Sequence, residues 1–183
     1  QAAMKLISSP ASPFVRKVHV VLHETGQTDD VEIVGVATTP LNVAEAAQSA
    51  NPTGKIPALI RPDGPAIHDS RVITRYLDTR ANGSLYPEAR IWEVLTFESM
   101  AHAIMDSAVL ITYEGRLRPT EQQSPEWIEA QWGKVARALD VLNARWISHL
   151  SGSVTMGHVS VGCALGYLDL RHGAAVRGGG RRQ

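Results

Sequence analysis

Three short segments in the N-terminal half carry side chains that can do chemistry: Ser12-Pro13-Phe14-Val15-Arg16-Lys17, then Asn51-Pro52-Thr53-Gly54-Lys55-Ile56-Pro57, then Asp69-Ser70-Arg71. Ser12 stands immediately before a proline suited to the first position of a helix, so its hydroxyl lies at a helix start. Such a start offers unpaired N–H groups and about half a positive charge, which favours an anion placed beside it. A thiolate is such an anion. A hydrogen bond to a charged acceptor contributes about 1.5–3 kcal/mol, enough to hold a bound thiol below its ordinary titration range. The same hydroxyl is equally suited to capping its own helix, and Asp69 and Ser70 likewise suit either a cap or the charged ends of a ligand.

These residues need elements to position them. Met4-Lys5-Leu6-Ile7-Ser8 is a short apolar run consistent with a strand, and the Ser/Pro/Ala/Ser/Pro loop after it leads into a helix. Phe14, Val15, Val18, Val21 and Leu22 recur at helical spacing, and Gly26 stops the helix. The second segment follows a helix expected over Asn42 to Gln48 and precedes a strand at Ala58-Leu59-Ile60-Arg61. Pro57 cannot donate to a sheet ladder and so belongs at the first residue of that strand or at an edge. A cis bond at Ile56-Pro57 would turn the Ile56 backbone toward a peptide ligand, while an ordinary trans turn fits the sequence equally well. Ile67-His68 reads as a short strand, and the helix after it runs toward Ala81 with Val72, Ile73, Tyr76 and Leu77 on its apolar face.

In this order and spacing the three segments resemble the N-terminal thioredoxin-like domain of the glutathione transferase superfamily. The resemblance continues through Ala101-His102-Ala103-Ile104-Met105-Asp106-Ser107-Ala108 and Gly162-Cys163-Ala164-Leu165-Gly166-Tyr167-Leu168-Asp169-Leu170-Arg171, which are similar to the helical domain of a bacterial, serine-type subgroup. It implies an α/β plus all-α fold, a βαβαββα domain followed by a helical one. It also implies that Ser12 stabilises the thiolate of glutathione, with Ser9 as second candidate because Ala11 has no hydroxyl. Phe14 belongs to the same segment and is carried with the binding residues. Lys55, Ile56 and Pro57 would meet the glycyl and cysteinyl parts, and Asp69 and Ser70 the γ-glutamyl end. The implied activity is conjugation of glutathione, a co-substrate, to a hydrophobic electrophile, by a homodimer and without metal. A glutathione-dependent thiol reductase would need a cysteine where Ser12 stands. A non-catalytic glutathione-binding or protein-interaction module on the same fold is the alternative.

Composition agrees with an enzyme of this kind. At 183 residues and 44% hydrophobic the chain can build a sizeable core, and its 18 basic and 18 acidic residues are mixed, which argues against a nucleic-acid partner. No uninterrupted apolar run nears the roughly 20 residues that span a membrane and no leader-type run precedes Met4, so the cytoplasm is expected, with no membrane partner; the resemblance implies a role in detoxification. Cys163 is the single cysteine and excludes an internal disulfide. His19 and His23 share a helical face, but no third ligand accompanies them and no metal site is expected.

The chain is expected to divide into residues 1–81, a connector at 82–87 and a helical domain over 88–171. Long helices are expected over Ala89 to Glu114, with Trp92, Leu95, Phe97, Met100, Ile104, Ala108 and Ile111 mostly on one side, and from Ser124-Pro125 toward Leu150. The resemblance makes Ala101, Met105, Asp106, Leu110 and Tyr113 candidate walls for the electrophile. Two departures from the family pattern stand out. His158 occupies the place where relatives carry the carboxylate of a Thr/Ser-x-x-Asp capping box, which predicts a weakened helix start. Residues 172–183 show no helical stripe and are expected to form a disordered or non-family tail, as at a truncated end.

Overall fold

The computed structural model describes residues 3–146, 148 and 151–179. The chain divides into two compact units, Gln1–Glu88 and Ala89–Gln183.

The first unit runs β1 (Met4–Ser8), α1 (Pro13–Glu24), β2 (Val31–Gly35), α2 (Glu45–Ala50), β3 (Ala58–Ile60), β4 (Ile67–His68) and α3 (Ser70–Arg80), the expected βαβαββα order. Its four strands form one sheet in the order β2-β1-β3-β4. β1 pairs parallel with β2, Leu6 opposite Ile33, and antiparallel with β3, Ile7 opposite Ala58; β3 pairs antiparallel with β4, Ala58 opposite His68. Alternation along the strands gives each face its own core. Ile7 and Ala58 pack with Ala47 of α2. On the other face lie Met4, Leu6 and Leu59, and there the buried Ser8 reaches His19 of α1. α1 and α3 pack on one another and bury Val15, Val18, Val21 and Leu22 from the first and Ile73 and Leu77 from the second. Each such aliphatic side chain contributes about 1.5–3 kcal/mol. Gly26 ends α1 in the left-handed region at φ 68°, with the Gln27 N–H donating to the Leu22 carbonyl at 2.8 Å.

The second unit contains α4 (Ile91–Leu117), α5 (Pro125–Val141) and α6 (Met156–Gly179), with α4 packed against both others. Ser124 caps α5 by accepting the Trp127 N–H at 3.2 Å, and past Val141 the chain continues as a single π-type turn, Leu142–Trp146. Glu114 ties α4 to α5, accepting the Ser124 N–H at 3.2 Å and Arg118 Nε at 3.0 Å. Burial alone would raise its pKa, but these donors and the Arg118 charge outweigh burial and hold it below the ordinary glutamate value. The stripe expected on α4 is buried at Phe97, Ile104, Ala108 and Ile111, whereas Trp92 is 78% exposed on the first helical turn. The stretch Glu88–Leu117 is long and apolar enough to cross a membrane by length and composition alone, a feature the search for an uninterrupted run misses; half of its most apolar window is buried within the protein.

Two expectations are corrected here. The start of α6 keeps a closing bond: neutral His158 accepts the Thr155 N–H on Nδ1 at 3.0 Å, so an imidazole nitrogen does the work of the carboxylate. Residues 172–179 are helical rather than a structureless tail. α6 continues to Gly179 through a local break at His172 (φ −133°, ψ 19°), and residues 180–183 lie outside the described residues. His172 anchors that break. Its Nε2 lies 3.1 Å from the Ala108 carbonyl and 3.0 Å from Thr112 Oγ1, and its ring meets Trp132 edge-on at 5.0 Å. Because a carbonyl only accepts, Nε2 carries the proton.

Candidate functional site

The sheet register brings the three chemical segments to one end of the first unit. The row Ile7, Ala58 and His68 is the last fully paired one, so the next residues outward are Ser8 on β1, Pro57 before β3 and Asp69 after β4. The loop from Ser8 into α1 supplies Ser9 and Ser12 at that same end. Sequence spacing of dozens of residues thus becomes proximity through strand pairing.

Ser12 takes the extended conformation of an N-cap (φ −80°, ψ 122°), and its Oγ accepts the Val15 N–H at 3.2 Å. Its own N–H donates to the Ser9 carbonyl at 3.2 Å, closing the loop between the two candidate serines. An oxygen that accepts from the cap still holds its own proton to donate elsewhere. Both readings of Ser12, cap and anion donor, are therefore compatible in one geometry. Phe14 is half-buried on the first turn of α1, while Pro13 beside it is buried.

The Ile56–Pro57 peptide bond is cis. Pro57 is buried, Ile56 packs on the Ile7, Ala47 and Ala58 cluster, and Lys55 is exposed. This loop is braced by a residue that sequence reasoning passed over. Asn51 is buried, its Nδ2 donates to the Lys55 carbonyl at 3.0 Å, and its Oδ1 accepts both the Thr53 N–H at 3.0 Å and the Thr53 hydroxyl at 2.9 Å. Gly54 completes the turn at φ 71°, where an added Cβ would come within 2.6 Å of Val43 Cγ1. An asparagine between a helix end and Pro52 was the available signal, since that residue type bonds to nearby backbone.

Asp69 caps α3 at φ 72°, a left-handed value that costs a non-glycine residue of order 1–3 kcal/mol. Its Oδ1 accepts the Arg71 N–H at 2.9 Å and Arg71 Nε at 3.1 Å, and its Oδ2 receives Arg71 Nη2 at 2.8 Å. The carboxylate remains about one-third exposed at 35%. Ser70, next along, is buried, and Lys17 Nζ donates to its Oγ at 3.3 Å. Lys17 is the second residue the sequence reading left without a role. Its place among Phe14, Val18 and Val21 on the inward stripe of α1 was the clue.

Ser8 and His19 form a further hydrogen-bonded pair at 3.2 Å beneath this end of the sheet. Burial lowers the His19 pKa from its ordinary value. Among the described residues no group of three or more His, Cys, Asp or Glu side chains is arranged to hold a metal ion. The electrophile-wall candidates do not share one environment: Ala101 and Met105 are fully buried, Asp106 and Leu110 are exposed, and Tyr113 is half-buried with its hydroxyl pKa raised by that burial.

Comparisons with known proteins agree with this arrangement. Residues 11–80 match the family model for the glutathione S-transferase N-terminal domain, and residues 125–181 match that for its C-terminal domain. The chain is 31% identical to the uncharacterized GST-like protein YibF of Escherichia coli over 92% of its own length and 83% of the relative's. Its structure is similar to that of a glutathione transferase family member from Pseudomonas fluorescens Pf-5 solved with bound glutathione, with a TM-score of 0.91, 43% identity, and 94% and 85% of the two chains covered. It is also similar to a glutathione S-transferase from Methylobacillus flagellatus solved with glutathione bound, with a TM-score of 0.78, 37% identity, and 93% and 85% covered.

Proposed function

Because this chain belongs to the glutathione S-transferase family, we propose that it binds glutathione along the row formed by Ser8, Pro57 and Asp69 and conjugates its sulfur to a hydrophobic electrophile. The observation that carries the reading is the geometry of Ser12. Its Oγ accepts the Val15 N–H and still has its own proton to donate to a sulfur anion beside the start of α1. Ser9 is the alternative donor from the same loop. Phe14 flanks Ser12; Lys55, Ile56 and Pro57 take the glycyl and cysteinyl parts, and Asp69 and Ser70 the γ-glutamyl end.

In this reaction the thiolate lone pair forms a new S–C bond while the electrophile's leaving group departs with its bonding electrons. The protein forms no covalent intermediate. Its contribution is to keep the sulfur ionised at neutral pH and to hold two substrates together, effects that lower barriers through electrostatics and proximity. Metal and other cofactors have no part in the proposal, and glutathione is consumed as a co-substrate. Family membership also supports a homodimer acting on toxic electrophiles in the cytoplasm, without nucleic-acid or membrane partners.

The test is direct: the full chain is incubated with glutathione and 1-chloro-2,4-dinitrobenzene, and the aryl conjugate is followed by absorbance. Conjugate formation above the uncatalysed rate, reduced severalfold in Ser12→Ala, supports the reading. Glutathione binding without turnover across a panel of aryl halides, epoxides and enones would point instead to a binding module.

A further inference from the structure

We propose that Arg16 is a specificity-determining residue of the conjugation site, selecting electrophiles that carry a carboxylate a few bonds from the reacting carbon; this rests on the reading above and names its substrate class. Arg16 lies one helical turn inside α1 from Ser12, its N–H donating to the Ser12 carbonyl at 3.1 Å. Side chains so spaced on a helix are neighbours, about 5–6 Å apart at Cβ, and a long one leans back over the preceding turn. The Arg16 side chain is exposed, and its guanidinium makes no hydrogen bond, ion pair or ring contact with the described residues. His19 follows on the same face, but its Nε2 lies 3.2 Å from Ser8 Oγ and burial favours its neutral form. No Asp or Glu occurs from Ser8 to His23, so no carboxylate of its own segment offsets the charge that Arg16 brings to the start of α1.

The electrophile becomes bonded to the sulfur, so its atoms extend from the place beside Ser12 where the thiolate is held. Glutathione's own charged ends are taken at Lys55 and at Asp69 and Ser70, and Asp69 is already paired with Arg71 at 2.8 Å. The guanidinium on the turn after Ser12 is left for the group under attack. It offers a planar pair of donors that fits a carboxylate, which a lysine in the same place would meet only as a point charge. An exposed cation at the site also draws an anionic substrate toward it, an effect that added salt weakens. In the reaction the sulfur lone pair forms the S–C bond, and a halide departs with the electrons of the bond it breaks. The carboxylate stays unchanged on the product, so Arg16 holds it before and after the step.

The experiment follows, by absorbance, conjugation of glutathione by the full chain to 4-chloro-3-nitrobenzoate and to its uncharged match, 4-chloro-3-nitrobenzamide, with each kcat/KM divided by the uncatalysed rate constant. The unmodified chain should favour the acid over the amide about fivefold or more, and that preference should shrink by about half between roughly 20 mM and 500 mM sodium chloride. Arg16→Gln should abolish the preference and Arg16→Lys should keep part of it. Both variants should melt within about 2 °C of the unmodified chain, because an exposed side chain without partners is replaced at little cost. An acid-to-amide ratio unchanged in Arg16→Gln, a parallel fall of both rates included, would overturn the proposal and assign the Arg16 charge to the sulfur or to solvent. Turnover of 1-chloro-2,4-dinitrobenzene by the unmodified chain with no preference for the acid would overturn this inference alone. Failure to conjugate any of the three compounds would remove the transferase reading and the proposal with it.

Discussion

Asn51 donates a carboxamide N–H to the Lys55 carbonyl across 3.0 Å, so one buried side chain holds both ends of the loop that presents Lys55, Ile56 and Pro57. The same carboxamide oxygen serves Thr53 twice, which satisfies the group inside the turn. Asn51→Ala should therefore cost about 1–3 kcal/mol, because the Thr53 N–H and the Lys55 carbonyl lose a buried partner. Glutathione affinity should fall with it. Chemical denaturation and calorimetric titration check the two halves, and a variant with unchanged stability would show that water replaces the side chain without loss.

Ser12→Ala separates the two uses of one hydroxyl. Loss of the cap should lower stability by about 0.5–2 kcal/mol, while loss of the donor to sulfur should reduce turnover severalfold or more at nearly unchanged glutathione affinity. Steady-state kinetics beside thermal melting distinguish them. Unchanged turnover would move the thiolate role to Ser9 or to backbone donors.

The order of elements was legible because each has a local signature: proline after Ser12 and Ser124, left-handed Gly26 after α1, and proline at the head of β3. The cis state of Ile56–Pro57 was one of two options the sequence left open, since it depends on tertiary surroundings. Asn51 and Lys17 were missed for a common reason. Each is of a polar type usually found at the surface, which outweighed its local signal, and the structure buries both. Trp92 failed in the opposite direction, because an apolar residue at helical spacing in a first turn has no partner guaranteed on its own side. The sequence of residues 172–179 shows no helical stripe, and the anchoring of the break by His172 on Thr112 and Ala108 is a long-range fact.

His158→Ala removes the bond to the Thr155 N–H and should destabilise the second unit by about 0.5–2 kcal/mol. His158→Asp restores an acceptor at the same place and should recover the loss. Denaturant midpoints of the three proteins decide this; equal midpoints would mean that the imidazole contact adds nothing to the helix start.

Acid should weaken the fold through two histidines. Burial lowers the pKa of His19; it is also the main cause for His172, where the charges of Arg171 and Arg116 act in the same direction and the Ala108 carbonyl partly opposes them. The unfolded chain takes up protons on these rings below about pH 6.5, where the folded chain does so less readily. Their stabilising contribution is thus full above that pH and is lost progressively as pH falls through the lower folded-state values. Melting temperatures from pH 8 to pH 5 should decline accordingly, and the decline should be shallower in His172→Gln. A profile flat across that range would contradict the assignment.

The central claim is that this site keeps the sulfur of glutathione ionised. An ultraviolet titration of the thiolate band of glutathione bound to the full chain, against free glutathione from pH 5 to pH 10, tests it most directly. The account predicts a bound thiol that ionises at distinctly lower pH than the free one, with the shift diminished in Ser12→Ala. Bound glutathione that titrates like the free compound would contradict it.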